Sequence, residues 1–448
     1  MKHRRIRYGG PRQQPKKQTQ LDTPVEIISL SLDGRGVARP EGKTLFVRGA
    51  LPGERVDVEI EKSSKRFDEA LAREIFTTSD ARISPPCPYY EQCGGCDLQH
   101  LQADEAIQLK QQELLTQLAK RAQVEPETID EPLSGSAKLG YRRIARVGIN
   151  QRDNGELLMG FRRRASNKLV DIDQCAVLTN KINAFLADLR AALIEFERVK
   201  HLTQIEVIEG DQGLEVELRS TRNLSDELRA ALERLAKRHQ ANLSIRVKES
   251  PAGLIHANPA ATRLSIDGSI QLNFTASDFV QVNAQVNQLM IDRVVDWLAP
   301  RSQDRVLDLF SGLGNFSLPL AKRVAQVTAV EGSSTMVQRC LDNADANELT
   351  NLRAYAADLS EPAKDAPWFT DQYDLILLDP PRQGAAEVIA ALEHHKPRAL
   401  VYIACDPSSL VRDAATLKRQ GYKLSRLCIA DMFPQTHHIE SLALFERA

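Results

Sequence analysis

Four short motifs in the C-terminal part of the chain carry side chains able to do covalent chemistry. They are Asp278-Phe279-Val280-Gln281-Val282-Asn283, Asp379-Pro380-Pro381-Arg382, Ala404-Cys405-Asp406-Pro407 and His438-Ile439-Glu440. A cysteine with carboxylates suits addition to an electron-poor ring. The C5 carbon of a pyrimidine is a poor nucleophile, but a thiolate added at C6 turns the ring into an enolate that attacks an alkyl donor. A base must then remove the C5 proton so that the thiol can leave by elimination. Cys405 has the type for the nucleophile, Glu440 for the base, and Asp379 for positioning the donor or the pyrimidine edge. A helix expected to start near Ser408 would bring its N-terminus, which favours anions, to the Cys405 thiol.

The donor is suggested by a fifth stretch, Val306–Leu320 (VLDLFSGLGNFSLPL). It reads as a buried strand, a turn through Gly312 and Gly314, and the start of a helix whose free N–H groups point at a ligand. Ser317 stands where a dinucleotide-binding loop has its third glycine. The following strand ends at Glu331, 23 residues after Asp308, where a partner for ribose hydroxyls belongs. An acidic strand end without a phosphate-binding lysine suits a nucleoside lacking phosphates, and S-adenosylmethionine is the candidate.

These motifs need a scaffold that brings them to one crevice. From about residue 265 the sequence alternates strand and helix. The expected strands are Arg305–Leu309, Gln326–Val330, Leu352–Ala356, Tyr373–Leu378, Ala399–Ala404, Lys423–Ile429 and Ser441–Phe445. Five parallel strands with crossover helices and a final antiparallel pair make an α/β doubly wound sheet, the seven-stranded arrangement of class I methyltransferases. Ligands of such sheets sit at the carboxyl ends of the strands, where all the motifs fall.

Upstream, residues 81–265 read as a central α+β domain. It has amphipathic helices over 104–122, 182–199 and 224–239, and a hairpin of Ile205–Ile208 with Leu214–Leu218 around Gly210–Gly213. Arg142, Arg143 and Arg146 on an expected strand could face a polyanion. The domain opens with Cys87, Cys93 and Cys96, spaced C-x5-C-x2-C, and a fourth cysteine follows at Cys175. Four thiolates make a [4Fe–4S] cluster or a zinc site. Only one C-x2-C knuckle is present, which favours the cluster over zinc.

Residues 21–80 carry short β-prone runs at Val25–Leu30, Gly36–Arg39, Thr44–Val47 and Arg55–Glu61, separated by Asp33-Gly34, Pro40-Glu41-Gly42 and Pro52-Gly53. That spacing fits a five-stranded barrel of the oligonucleotide-binding kind. The run Leu32–Val56, with Arg35, Arg39 and Arg48, resembles the TRAM domain, an RNA-binding barrel. Residues 1–20 hold seven Lys and Arg and no acid, although the whole chain of 448 residues has a net charge of only −1. Such an arm cannot bury a core and is expected to be disordered and able to contact phosphates. The composition, 42% hydrophobic and 27% charged, is ordinary for a globular protein. No apolar run approaches the roughly 20 residues of a membrane span, and no secretory signal is present. A cytoplasmic monomer with four regions is expected, bounded at 1–20, 21–80, 81–265 and 266–448.

Taken together, FVQVN at Phe279–Asn283, DLFSGLGNFSLPLA at Asp308–Ala321, LDPPRQGA at Leu378–Ala385, IACDPSSLVRD at Ile403–Asp413 and HHIESLALF at His437–Phe445 resemble the RNA uracil-C5 methyltransferase family. A TRAM barrel joined to the cysteine motif is similar to the branch that acts on uridine 1939 of 23S rRNA. The resemblance implies that Cys405 is the nucleophile and Glu440 the proton-removing base. It implies that Gln281, Phe310, Asn315, Glu331, Asp358 and Asp379 line the S-adenosylmethionine site, and that Cys87, Cys93, Cys96 and Cys175 bind a [4Fe–4S] cluster. Asp358 stands where the family often has Asn. The alternatives are the same chemistry on another uridine of 23S rRNA or tRNA, an exocyclic-amine methyltransferase, and a non-catalytic RNA-binding assembly factor. Arg382 in the place of a base-stacking aromatic, and Cys405 itself, speak against the second.

Overall fold

The computed structural model describes residues 19–20, 23–363 and 365–447; residues 1–18 of the basic arm therefore lie outside the described residues. The described chain divides into two compact units, up to Arg82 and from Ile83 onward.

The first unit is a sheet of seven strands: β1 (Thr19–Gln20), β2 (Val25–Glu26), β3 (Ser29–Leu30), β4 (Gly36–Ala38), β5 (Thr44–Arg48), β6 (Arg55–Ser63) and β7 (Phe67–Thr77). The run expected as one strand, Val25–Leu30, is two. Its first half pairs with β6 and its second with β4, at opposite ends of the strand order β6-β7-β5-β4-β3. One short run thus joins the two edges and closes the sheet, which removes the unpaired edges that open sheets expose. Alternate residues of β5 and β6 fill the interior, where Leu45, Val47, Val56 and Val58 are buried. The Glu54 carboxylate is also buried. It accepts from Leu51 N–H at 2.8 Å and from Arg82 at 2.5 and 2.8 Å. Burial pushes its pKa up, but the Arg82 guanidinium and the backbone donors outweigh this and hold it below the usual range.

The second unit contains two large sheets. After α1 (Ala103–Gln117) and the two-residue β8 (Thr128–Ile129) come β9 (Ile144–Gln151), β10 (Leu157–Arg162), β11 (Leu169–Asp171), α2 (Asn180–Ile194), β12 (Leu202–Gly210), β13 (Gly213–Ser220), α3 (Asp226–Arg238), β14 (Ala241–Val247) and β15 (Gly253–His256). The strands form one sheet in the order β11-β10-β9-β12-β13-β14-β15. Helix α3 shows why the sequence folds locally. Ser225 caps it by accepting from Leu228 N–H at 3.3 Å. Asp226 and Glu227 occupy its first turn, and Lys237 and Arg238 its last, as its dipole favours. Leu228, Leu232, Leu235 and Ala236, at helical spacing, face the core.

A small hairpin, β16 (Arg263–Ile266) and β17 (Ile270–Asn273), and α4 (Ala284–Leu298) lead into the second sheet. Its strands are β18 (Arg305–Leu309), β19 (Gln326–Glu331), β20 (Leu352–Ala356), β21 (Leu375–Leu378), β22 (Ala399–Ala404), β23 (Tyr422–Ala430) and β24 (Glu440–Arg447). Between them run α5 (Ser317–Ala321), α6 (Ser334–Ala346), α7 (Pro367–Thr370), α8 (Ala386–Ala391) and α9 (Pro407–Arg419). The strand order is β20-β19-β18-β21-β22-β24-β23-β8, with β24 antiparallel to both neighbours. Central strands β21 and β22 are buried at every residue, because helices cover both faces of a parallel sheet. The seven expected strands are all present. The eighth, β8, is borrowed from the central region and lies parallel to β23. Among the described residues no helix is long and apolar enough to cross a membrane.

Candidate active site

The register of the antiparallel pair at the sheet's middle brings two of the sequence-selected residues together. Ala404 at the end of β22 faces Ser441 in β24, and Ser441 Oγ donates to Ala404 O at 3.3 Å. One step beyond this pair, Cys405 leaves β22 and Glu440 opens β24, close enough for the Glu440 charge to act on the Cys405 thiol. Both line a cavity of about 550 Å³, with Arg382, Phe279, Arg142, Phe433 and His438 also in its walls.

The electrostatics of this corner follow from burial and from clustered acids. Burial pushes Glu440 up to about 8; Asp379 adds to the rise and Arg382 opposes it. Burial pushes Asp379 up to about 7. Burial also pushes the Cys405 thiol up to about 11, with Glu440 and Asp379 raising it further and Arg382 opposing. The helix expected near Ser408 begins at Pro407, and its N-terminus is capped by a carboxylate of its own. Asp406 caps α9 by accepting from Ser408 and Ser409 N–H at 2.8 and 3.1 Å. The capping carboxylate shares the positive end of the helix with the neighbouring sulfur.

The residues selected for the donor lie along the carboxyl ends of β18 to β21. Glu331 ends β19, and its carboxylate accepts from Gly312 N–H and Ser333 N–H, each at 3.1 Å. This bond ties the glycine turn to the neighbouring strand. Phe310 leads into the turn with φ of +65°, and Gly314 follows with φ of +101°. A methyl group on Gly314 would clash with Leu318 Cδ1 and lie 3.2 Å from Cys340 Sγ. Only glycine fits this position. Asn315 exchanges two 2.9 Å hydrogen bonds with Asn287 of α4. Asp358, beyond β20, is exposed and accepts from Ser360 N–H at 2.9 Å. Asp308 at the heart of the sheet is buried, and its carboxylate is bonded by the Ser317 hydroxyl. Burial pushes its pKa up to about 7, and Asp379 and Glu331 add to the rise. A cluster of acids under strain from one another is suited to a cationic ligand.

Gln281 is held from behind by a residue read differently from the sequence. Arg143 does not face a polyanion. It is buried, and its Nε donates to Gln281 O at 2.7 Å. Its own N–H donates to Val282 O at 3.0 Å. Arg142 and Arg146 do line the cavity. Arg146 is spoken for by Glu206 at 3.0 Å, whereas Arg142 lies 6.0 Å above the Phe433 ring.

The four cysteines of the expected cluster line the same cavity as Cys405. Gly95 N–H donates to Cys93 Sγ at 3.4 Å, and Arg164 holds the loop through Cys96 O at 2.6 Å. Asn183 clamps Cys175 by accepting from its N–H and donating to its O at 2.9 and 3.0 Å. No group of three or more His, Cys, Asp or Glu side chains among the described residues is arranged to hold a metal ion. The four cysteines share the wall of one cavity but are not gathered around a common ion.

Among the cavity residues given no site role from sequence are Phe279, Arg382, Phe433 and His438. Phe279 stands out, being 70% exposed although it is a large aromatic. Its motif was visible; its exposure was not. His438 is held neutral, its pKa lowered to about 4 by burial first and then by His437 and Arg382.

Comparison with known proteins agrees with this geometry. Residues 102–448 match the family model described as tRNA (Uracil-5-)-methyltransferase, and residues 23–70 match the TRAM domain. The chain is 39% identical over 439 residues to the 23S rRNA (uracil(1939)-C(5))-methyltransferase RlmD of Vibrio parahaemolyticus, covering 97% of this chain and 99% of that protein. It is 44% identical over 421 residues to the protein of the same description from Pseudomonas fluorescens, covering 94% and 93%. Among solved structures, the Pyrococcus abyssi tRNA (uracil-54, C5)-methyltransferase in complex with S-adenosyl-L-homocysteine shares the fold. Its TM-score is 0.71 at 22% identity, over 94% of this chain and 100% of that one. The glycine turn, the facing cysteine and carboxylate and the barrel ahead of them thus have one family in common: the chain belongs to the S-adenosylmethionine-dependent RNA uracil-C5 methyltransferases that carry a TRAM domain.

Proposed function

We propose that this enzyme methylates C5 of uridine 1939 in 23S rRNA, through a covalent bond between Cys405 and C6 of the base. The observation that carries the reading is the β22–β24 register, which makes Cys405 and Glu440 neighbours on one cavity wall. The relatives named above, alike over nearly their whole length, supply the choice of nucleotide.

In this reading Cys405 adds as thiolate to C6, and the ring's electron pair moves to C5 and the C4 oxygen. C5 takes the methyl group from the donor's sulfonium. Glu440 then removes the C5 proton, the C5–H pair re-forms the double bond to C6, and the C6–S bond breaks to return the thiolate. Asp379, Asp308 and Glu331 form an acidic floor for the donor, with Gln281, Phe310, Asn315 and Asp358 around its nucleoside. A sulfonium brought into this cluster lowers the pKa of the nearby acids, so Glu440 reaches its carboxylate form when the donor is present. Arg382 is a cation at the same wall, suited to the oxyanion that develops on the ring.

Cys87, Cys93, Cys96 and Cys175 would hold a [4Fe–4S] cluster, which would brace the loops around the cavity, since uracil methylation needs no electron transfer. Zinc in the same thiolates is the competing occupant. Iron and acid-labile sulfide in anaerobically purified protein decide for the cluster; stoichiometric zinc without iron decides against it. The TRAM barrel and the arm of residues 1–20 would bind RNA phosphates, and the enzyme would act as a cytoplasmic monomer.

The test is a map of 5-methyluridine on 23S rRNA from cells lacking this protein. Loss at position 1939, restored by the wild-type gene, is expected. Loss at another uridine, or in tRNA, would move the substrate while leaving the chemistry intact. An unchanged map would end the proposal.

A further inference from the structure

Lysines on helices usually keep their amines in water. Lys110 of α1 does not: it is 6% exposed, though nothing in the reaction described above uses it. Its Nζ donates to the main-chain O of His438 at 3.2 Å. It also stands 3.8 Å from Asp431 Oδ1, while Lys138 reaches the other oxygen of that carboxylate at 3.7 Å.

The two partners mark the ends of one segment. Asp431 directly follows β23, and His438 lies two residues before Glu440, the first residue of β24. One buried amine therefore bridges both ends of the 431–439 connection. That connection supplies Phe433, Thr436 and His438 to the cavity wall. Its middle is fastened separately, by Tyr141 Oη to Pro434 O at 2.9 Å and by Asp97 and Leu98 N–H to Gln435 O at 3.1 and 3.0 Å. At its far end the His437 ring meets Asp97 Oδ2 at 2.5 Å, and among the described residues Lys110 is the side chain that grips the His438 carbonyl next to the turn into β24. Fixing that carbonyl fixes the peptide plane between His438 and Ile439, and so the direction from which Glu440 enters its strand.

We propose that Lys110 is a positioning residue for proton removal: by holding the main chain at His438 it keeps the Glu440 carboxylate aimed at the base bound on Cys405. This rests on the reading of Glu440 as the base. Burial lowers the Lys110 pKa and raises that of Asp431, and each charge opposes the other's shift.

The reaction supplies a readout that separates aim from mere folding. Methyl transfer precedes proton removal, so a poorly aimed base leaves a methylated covalent adduct between RNA and Cys405. The experiment mixes full-length enzyme with 23S rRNA and labelled donor. It follows adduct on denaturing gels and released 5-methyluridine in parallel, for wild type, Lys110→Met and Glu440→Gln. Lys110→Met is expected to form adduct within about threefold of the wild-type rate and to release product at least tenfold more slowly, so that adduct builds up. Glu440→Gln is expected to accumulate adduct more completely. If Lys110→Met releases product as wild type does, or loses adduct formation and release together while Glu440→Gln still accumulates adduct, the proposal for Lys110 is overturned. If Glu440→Gln accumulates none, the reading of the base fails instead. Should Lys110→Met not fold, Lys110→Met with Asp431→Asn removes both buried charges and carries the same expectations.

Discussion

At the residue scale the site is governed by three neighbouring groups whose charged forms oppose one another. Glu440, Asp379 and Cys405 are all raised, to about 8, 7 and 11, with burial the first cause of each. The sign follows directly. A base must be deprotonated to act, and a carboxyl raised to about 8 is mostly neutral at pH 7 in the free enzyme. Proton removal follows methyl transfer, when the donor has lost its charge, so the rate of product release from the methylated adduct should climb between pH 7 and 8 and level off above, and because the groups are coupled the midpoint belongs to the set. A profile flat from pH 6 to 9 would contradict this. Residue chemistry was legible in the sequence as far as type and motif could take it. Cys405, Glu440 and Asp379 were selected because their types fit a reaction. Lys110 and Arg143 were not, because a lysine on a helix and an arginine on a strand look solvent-exposed until the neighbouring elements are in place.

At the element scale the methyltransferase sheet was the most legible part. Strands β18, β20 and β22 fall within the expected bounds, because strands buried on both faces read as unbroken apolar runs between turn signals. The barrel was less so. Strand β7, FDEALAREIFT, is long, but its alternation is hidden by charge, and only Ala70 in it is fully buried. Strand β8 has two residues, both exposed, and exists only because β23 offers it an edge. The glycine turn after β18 gives a prediction belonging to this scale. Gly314→Ala would force a left-handed φ and a clash on Leu318, costing about 1–3 kcal/mol of stability. In the proposed site that turn faces the donor, so binding of S-adenosylmethionine should weaken by more than tenfold in calorimetry. Donor binding unchanged in the folded variant would mean that the turn does not meet the ligand.

For the molecule as a whole, RNA recognition is an electrostatic problem that the net charge of −1 conceals. The seven cations of residues 1–20 are set against an acidic remainder, and each phosphate they neutralise adds to the salt dependence of binding. Deleting these residues should reduce the slope of log affinity against log salt by up to about 5, with the rate of bound complex little changed. An unchanged slope would leave the arm without a role in binding. What the whole account stands on is the bond between Cys405 and the base. RNA carrying 5-fluorouridine at the target cannot complete the elimination, since fluorine is not removed as a cation, and so it traps that bond. The account predicts a methylated adduct whose peptide mass maps to Cys405 and which is absent in Cys405→Ala. An adduct on another residue, or near-normal methylation of ordinary 23S rRNA by Cys405→Ala, would contradict it.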